Sequence, residues 1–382
     1  VNGRDAPGVQ LLSGQLAHLG LDGGQFLLAE RLGAVDICPA YRGIWFSAAA
    51  KELYRINYNA RLISRVLAPL VRFRCRRPED IRRQASKFPW ERLFTPSHTF
   101  AVFSQTSNSP IRHSHHAALC LKDGLVDRFR DSMGMRPNVR TKDPDLWINL
   151  HIHGETAAVN FDTSGGALHR RGYRRRTVET PMQETVAAAV LALTEWDGER
   201  PLYDPMCGSG TLLCEALMAY CRIPAGFLRS RFGFELLPDF SASAWEEVRR
   251  ASDKQIRKLP EGLIQGSDRD SEAVEAAREN LRALPMGESV GLSVLDWNRV
   301  SELGNRCIVS NPPYGLRIGK ERAMPEFYRR LGDFLKQRCT GSTAYLYCGD
   351  RNLIGSIGLK TTFKKPLAHG GLDGRLIRLD MY

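Results

Sequence analysis

Four short stretches of this chain carry residue types that do chemistry when a fold brings them together. "DPMCGSGT" (Asp204 to Thr211) sets an acid ahead of two glycines. Glycine lets a ligand approach the backbone, and a helix that opens at such a turn offers free N–H groups. The spacing is neither Gly-x-Gly-x-x-Gly nor a phosphate-cradling Walker loop, and no Gly-Lys-Ser/Thr follows, which disfavours ATP hydrolysis. The second and third stretches, "QGSD" and "VLDW", place Asp268 and Asp296 at the ends of short apolar runs. In a nucleotide-type sheet, acids at those positions accept from ribose hydroxyls and from an adenine amino group. The interval from Asp204 to Asp268 exceeds the ~20 residues of the simplest such pattern. The excess is an insertion over 222–260.

The fourth stretch is "SNPPYGLRIG" (Ser310 to Gly319), which follows the apolar run "RCIVS". Two successive prolines make a stiff, extended turn whose carbonyls stay free to accept hydrogen bonds. The Asn311 side-chain oxygen and the Pro312 carbonyl could each take one N–H of a planar amine. That would direct the nitrogen lone pair toward an electrophile. Pro313 stiffens the turn and Tyr314 offers a flat face for stacking. Catalysis of this kind is positioning and fixed dipoles, with no metal and no strong base.

The elements around these stretches alternate. From Thr180 onward the pattern predicts a helix over "TPMQETVAAAVLALTEW", entered at Thr180-Pro181, and a strand at "RPLYDPM". A helix from "CGSGTLLCEALMAY" and a strand at "GLIQGSD" come next. "RDSEAVEAARENLRAL" and "EFYRRLGDFLKQR" are further helices, and "VGLSVLD", "RCIVS" and "STAYLYCG" further strands. "GLKTTFKK" and "GRLIRLDMY" close as an antiparallel pair. Strand–helix alternation predicts an α/β, doubly wound parallel sheet, with all four stretches at its C-terminal edge. The first ~165 residues read as an α+β module. In it, "LLSGQLAHLG" and "KELYRINYNARLISRVLAPL" look helical, "RGIWFSA" and "TFAVFSQTS" look like strands, and "RHSHHAALCLKDGLVDRFRDSMGMRP" is a helix stopped by Gly134. "LWINLHIHGETAAVNFDTSG" gives two strands about a glycine turn. A polar linker follows, "GGALHRRGYRRRTVET".

With Lys and Arg at 54 against 42 acids, the formal charge is +12. Such a balance speaks for a nucleic-acid partner. The charge is clustered in "RFRCRR", "IRRQASK" and "HRRGYRRR". The candidate RNA contacts are Arg72, Arg74, Arg76, Arg77, Arg82, Arg83, Lys122, Arg170, Arg171, Arg174 and Arg175, with Arg317 beside the Asn-Pro-Pro-Tyr turn. Nine cysteines without a Cys-x-x-Cys pair fit buried thiols in a reducing compartment, and His113, His115 and His116 lack metal-ligand spacing, so no metal site is expected. No apolar run approaches a membrane span, and the first residues carry no signal pattern, so a cytoplasmic protein is expected. The chain begins with Val and not Met, which fits a processed or trimmed terminus.

The order of Gly-rich turn, ribose acid, adenine acid and Asn-Pro-Pro-Tyr resembles the class I S-adenosylmethionine methyltransferases that act on amino groups. "SGGALHRRGYR", "DPMCGSGTLLCEAL", "SNPPYGLRIG" and "IGLKTTFKKPLAHGGLDGRLIRLDMY" narrow it. They resemble the THUMP-domain guanine-N2 methyltransferases of large-subunit ribosomal RNA, and "IRHSHHAALCLKDGLVDRFR" is similar to that family's THUMP region. The resemblance implies a ferredoxin-like lead-in over 1–65, a THUMP RNA-binding domain over 66–165, a linker over 166–180 and a class I (Rossmann-like) methyltransferase domain over 181–382. It implies S-adenosylmethionine as cofactor, held by Thr180, Pro181, Asp204, Pro205, Met206, Cys207, Gly208, Ser209, Gly210, Thr211, Asp268, Asp296 and Asn311. The catalytic turn would be Asn311, Pro312, Pro313 and Tyr314, and ribosomal RNA the partner of a monomer. Some members carry a second methyltransferase at the C-terminus, before which this sequence stops, and Gln183 stands where a basic residue is expected. Two other readings remain open. One is another amino methyltransferase, acting on tRNA guanine N2, DNA adenine N6 or protein glutamine. The other is an RNA-binding assembly factor that does not catalyse.

Overall fold

The structure, a computed structural model, describes residues 9–12, 30–40, 43–178, 181–314, 323–367 and 373–382. Thr180, Arg317 and most of the predicted helix "LLSGQLAHLG" lie outside them. The chain forms two compact units. The first comprises residues 1–13, 24–168 and 229–250, and the second residues 14–23, 169–228 and 251–382.

In the first unit, β1 (Val9–Leu12), β2 (Val35–Ala40), β3 (Gly43–Ser47), α1 (Ala50–Asn59) and β4 (Arg65–Arg74) are followed by α2 (Pro78–Lys87), β5 (Thr99–Ser107) and α3 (Ser114–Met133). Then come β6 (Asn138–Val139), β7 (Leu146–His153) and β8 (Thr156–Asp162). All eight strands join one sheet in the order β2-β3-β1-β4-β8-β7-β5-β6. Strand β4 is the seam, since it pairs with β1 through Arg65–Leu67 and with β8 through Leu67–Arg74. The predicted helix over "KELYRINYNARLISRVLAPL" is therefore half right. It stops at Asn59, and the β-branched, proline-containing half becomes β4, where Val66 and Leu67 bury fully in the sheet. Leu11 and Leu12, the described residues of the predicted N-terminal helix, are strand. Helix α3 buries Ala117, Leu121, Leu125 and Phe129 against the sheet, and Gly134 ends it in the left-handed region.

The second unit contains α4 (Glu184–Thr194), β9 (Leu202–Asp204) and α5 (Thr211–Tyr220). Helix α6 (Ala242–Asp253) begins in the first unit and ends in the second. After it come β10 (Ile264–Asp268), α7 (Ser271–Arg282), β11 (Gly291–Val294), β12 (Cys307–Ser310), α8 (Met324–Arg338), β13 (Thr343–Cys348), β14 (Phe363–Pro366) and β15 (Arg375–Asp380). The sheet order is β11-β10-β9-β12-β13-β15-β14, parallel except that β15 runs antiparallel to β13 and β14. Strand order reverses at β9, so the crevice at the C-terminal ends of β9, β10 and β12 is where such a sheet takes a ligand. Helix α4 starts later than predicted. Gln183 is its extended N-cap, and Pro181 precedes the helix instead of opening it.

The insertion folds back onto the first unit. Phe232, Phe234, Phe240 and Trp245 gather about Tyr54 and Tyr58 of α1, with Tyr54–Phe234 centroids 4.5 Å apart and Tyr58–Trp245 5.2 Å. Phe234 N donates to Thr163 O at 2.8 Å, and Arg229 Nη2 donates to Ser164 O at 2.8 Å. The backbones cross so closely that a Cβ on Gly233 would stand 2.0 Å from Asp162 O. Gly233→Ala should therefore destabilise the protein by about 1–3 kcal/mol, the usual cost of overpacking. Gly355→Ala, where a Cβ meets nothing within 4 Å, should leave the thermal midpoint nearly unchanged. Thermal unfolding of the two variants side by side checks this, and equal midpoints would refute the close crossing.

Candidate active site

Four strand ends build the site. At the end of β9, Asp204 is 1 % exposed and its Oδ1 accepts from Met206 N at 3.1 Å and from Ser310 Oγ at 2.8 Å. Burial pushes this carboxyl up to about 7, with Ser310 and Met206 opposing the rise. Ser310 is the last residue of β12, so this bond ties the Gly-rich turn to the residue before Asn311. At the end of β10, Asp268 faces the turn. Its Oδ2 accepts from Gly208 N at 2.9 Å and its Oδ1 from Asp270 N at 3.0 Å. Asp270 has a separate task as N-cap of α7, accepting from Glu272 N. Cys207 N donates to Ser267 O at 2.9 Å, which closes the turn onto β10.

Gly208 and Gly210 both have positive φ, at 53° and 78°. Gly210 lies against α7, where a Cβ would come 3.0 Å from Ala277 Cβ, whereas a Cβ on Gly208 would meet nothing nearer than Val178 at 3.8 Å. Gly208 is the side a ligand can approach. Pro205 and Cys207 are buried, and Met206 is half-buried. Burial, with Asp204 and Asp268 nearby, pushes the Cys207 thiol well up, so it is no nucleophile. At the end of β11, Asp296 Oδ1 accepts from Asn298 N at 2.9 Å. Asp296 lines a cavity of about 320 Å³ with Arg269, Val294, Leu295 and Arg299. That cavity lies beside Asp268, as Leu295 N donates to Asp268 O.

Polar groups from the segment before α4 hold the turn from beneath. Arg174 Nε donates to Glu184 Oε1 at 3.0 Å, and its Nη2 to Met182 O at 3.0 Å and Thr211 Oγ1 at 3.1 Å. Its Nη1 reaches Ser209 Oγ at 3.5 Å. Ser209 and Thr211 are buried, so their hydroxyls brace the turn. Asn280 of α7 donates to Ser209 O and Arg176 O, and accepts from the backbone N–H groups of Arg175 and Arg176. Arg171 is 1 % exposed and pairs with Glu215, which also accepts from Tyr173. Two predicted RNA contacts are thus corrected. Arg171 and Arg174 point inward, because buried carboxylates on α5 and α4 need cationic partners. Arg170, Arg175 and Arg176 remain exposed. Composition did not single out Glu184, Glu215, Asn280 or Ser310. Their signal is a polar residue on an otherwise apolar helix face or strand.

The Asn311 side-chain oxygen is buried and has no hydrogen-bond partner among the described residues. Pro312 is buried, Pro313 exposed and Tyr314 half-buried. Behind Tyr314 lies Gly349, just past β13. A Cβ there would come 2.7–2.8 Å from three atoms of the tyrosine ring, so only glycine lets the backbone lie against it.

In the first unit, several predicted RNA contacts carry surface ion pairs. Arg74 and Arg76 share Glu155, Arg82 meets Asp127, Arg83 meets Asp80 and Lys122 meets Asp123. Pairs this exposed are worth about 0–1 kcal/mol, so a phosphate can replace the carboxylate at little cost. Arg72 and Arg77 are exposed.

Against known proteins, residues 171–378 match the UPF0020 family model, described as an RMKL-like methyltransferase domain, and residues 75–162 match the THUMP domain. A Synechocystis sp. protein named "Putative RNA methyltransferase slr0064" is 36 % identical over 352 residues, 92 % of each chain. The ribosomal RNA large subunit methyltransferase K/L of Syntrophotalea carbinolica is 36 % identical over 371 residues, 93 % of this chain and 52 % of that protein. The chain thus spans about half the length of the K/L relatives it matches. The crystal structure of SMU.472, described as "a putative methyltransferase complexed with SAH", superposes with a TM-score of 0.83 over 98 % of both chains at 24 % identity, a likeness of fold. By its matched domains and its likeness to a relative over 92 % of both chains, the chain belongs to the UPF0020 family of RMKL-like methyltransferase domains, here joined to a THUMP domain.

Proposed function

We propose that this chain methylates an exocyclic amine of RNA with S-adenosylmethionine, and that the target is N2 of a guanosine in large-subunit ribosomal RNA. The observation that carries the reading is the buried, unpartnered Asn311 oxygen at the C-terminal end of β12. A buried acceptor left unpaired costs about 1–3 kcal/mol, so it belongs where an arriving donor completes it. The family and the names of its ribosomal RNA relatives supply the substrate class. A monomeric, cytoplasmic enzyme completes the reading. No described helix is long and apolar enough to cross a membrane.

The residues fit the cofactor. Asp204 is a buried acid with no cation beside it among the described residues, which suits a cationic ligand. Gly208 leaves room at the turn, Asp268 stands where ribose hydroxyls would reach it, and Asp296 fronts the cavity that would take adenine. When bound, the cofactor supplies an electrophilic methyl group on a sulfonium. The chain does the rest by placement. An amine conjugated to a base is a poor nucleophile. Asn311 Oδ1 and the Pro312 carbonyl accept its two N–H groups, localise its lone pair and direct it, while Tyr314 stacks on the ring. The amine proton leaves to solvent. A base within a duplex must first be flipped out, at a cost of a few kcal/mol.

Two outcomes follow. Asn311→Ala should leave the folded fraction and cofactor affinity nearly unchanged while kcat falls by about 10²–10³, by analogy with a lost oxyanion-hole donor. Single-turnover transfer of labelled methyl to ribosomal RNA, followed by nucleoside analysis, checks both the loss and the guanine assignment. Label found in adenine, or in protein, would overturn the assignment. The second outcome concerns pH. Without ligand, Asp204 holds its proton up to about pH 7, and a bound cation favours its ionised form. Cofactor affinity should therefore rise as pH increases from about 5 through about 7 and then level off. Asp204→Asn should flatten this rise, read by calorimetry across the range.

A further inference from the structure

The sheet of the first unit has two unlike faces. One is apolar and carries α2 and α3. Val71, Phe73, Leu150, Ile152, Ala157 and Val159 lie on it, packed against the helices. Side chains alternate along a strand, so the residues between these point the other way. Register lines them up across β4, β8, β7 and β5. One row reads Arg72, Ala158, His151, Gln105, and the next Arg74, Thr156, His153, Ser107.

These two rows are open. Arg72, Arg74, Gln105 and His153 are exposed, and the small Ala158 and Thr156 leave a shallow trough between them. Among the described residues, the Arg72 guanidinium and the Gln105 amide have no side-chain partner, whereas Arg74 shares Glu155 with Arg76. His153 Nδ1 lies 3.0 Å from Ser107 Oγ. His151 is half-buried. Desolvation and then the nearby His153 hold its imidazole below the usual value, so at neutral pH it offers one donor and one acceptor. At one end the trough meets aromatic side chains. Phe103 and Trp147 stand edge to face at 6.1 Å, with the Arg65 guanidinium 4.0 Å above Phe103. Asn149 and Asn160 between them are fully buried, so the open surface begins at the Arg72–Gln105 row.

Resting on the reading of RNA as substrate, we propose that this open sheet face is where the first unit holds its RNA, and that it takes a single-stranded segment laid across the four strands. Charge complementarity selects a polyanion, since Arg72 and Arg74 border the trough and the carboxylate at its rim, Glu155, already serves Arg74 and Arg76. Shape selects a single strand. The face is flat and about 15 Å wide by strand spacing. Unstacked bases can lie on such a surface and present their edges to Gln105 and His151, whereas duplex RNA is gripped by elements that reach into its minor groove. The arginines on the helix layer, Arg82 and Arg83, lie on the opposite side and take no part.

The test uses the full chain, a fluorescent single-stranded oligoribonucleotide and a duplex hairpin of the same composition, with binding read by anisotropy over a salt series. The paired change Arg72→Glu with Gln105→Glu should weaken single-strand binding by about 10-fold or more and flatten the salt slope by about one, as loss of a phosphate contact requires. Cofactor affinity and thermal midpoint should stay the same. Arg82→Glu with Arg83→Glu should change binding by less than about two-fold, less than a lost phosphate contact would. Photocrosslinks from a thiouridine-bearing strand should map to residues 101–107 and 146–153. If the helix pair loses binding and the sheet pair does not, or if crosslinks fall in α2 and α3, the sheet-face assignment is overturned while RNA methylation stands. If the unaltered chain binds neither RNA at any salt, both fall.

Discussion

A backbone turn that must stay open to a ligand cannot be held by apolar packing on its open side. The turn from Cys207 to Thr211 is held from behind, by hydrogen bonds from groups that meet their full capacity there. Asn280 spends its whole amide on the task, with two N–H donors on Ser209 O and Arg176 O and its oxygen on two backbone N–H groups. Arg174 spans Met182, Glu184, Ser209 and Thr211. Each of these groups is costly to bury alone and acceptable only when matched, so the set favours one geometry. The rest of the site hangs from that geometry. Asp268 reaches Gly208 only if the turn is where it is, and Ser310 carries its position across to the Asn-Pro-Pro-Tyr turn through Asp204.

The Asn311 oxygen follows the opposite logic. It is buried and unmatched among the described residues, on a turn whose prolines cannot relax to find it a partner. Rigidity behind it comes from Gly349, whose bare backbone backs the Tyr314 ring. One part of the site is saturated so that it stays still, and the other is left one bond short so that it can select what enters.

Much of the placement of these residues was legible in the chain. Acids and glycines stand at successive strand ends in chain order, and Asn-Pro-Pro-Tyr announces a stiff turn by residue type alone. What composition could not resolve was direction. "HRRGYRRR" reads as one basic run, yet Arg171 and Arg174 turn inward and Arg170 and Arg175 outward. The deciding partners are Glu215 and Glu184, which belong to helices later in the chain. The same limit explains the overrun helix after Lys51. Apolar residues at near-helical spacing continue past Asn59, but sheet pairing with β8 claims them, and no local pattern reports a strand that arrives ninety-odd residues later. The insertion was visible only as excess length. Its aromatic residues gave no sign that their partners were Tyr54 and Tyr58.

That return of the insertion also sets a clock for biosynthesis. Residues 229–250 belong to the first unit, whose preceding segment ends at Leu168. Until the later segment leaves the ribosome, Tyr54 and Tyr58 on α1 lack their covering rings. At the ordinary 5–20 residues per second, the roughly 80 residues from His169 through Arg250 take about 4–16 s to make, far longer than a domain of this kind needs to collapse. During that interval the nascent chain presents an open aromatic surface while the Gly-rich strand and its helix are still being threaded out. The two units therefore mature as interleaved halves of one folding event, and the N-terminal unit is completed by a segment made after the first strand and helix of the C-terminal unit.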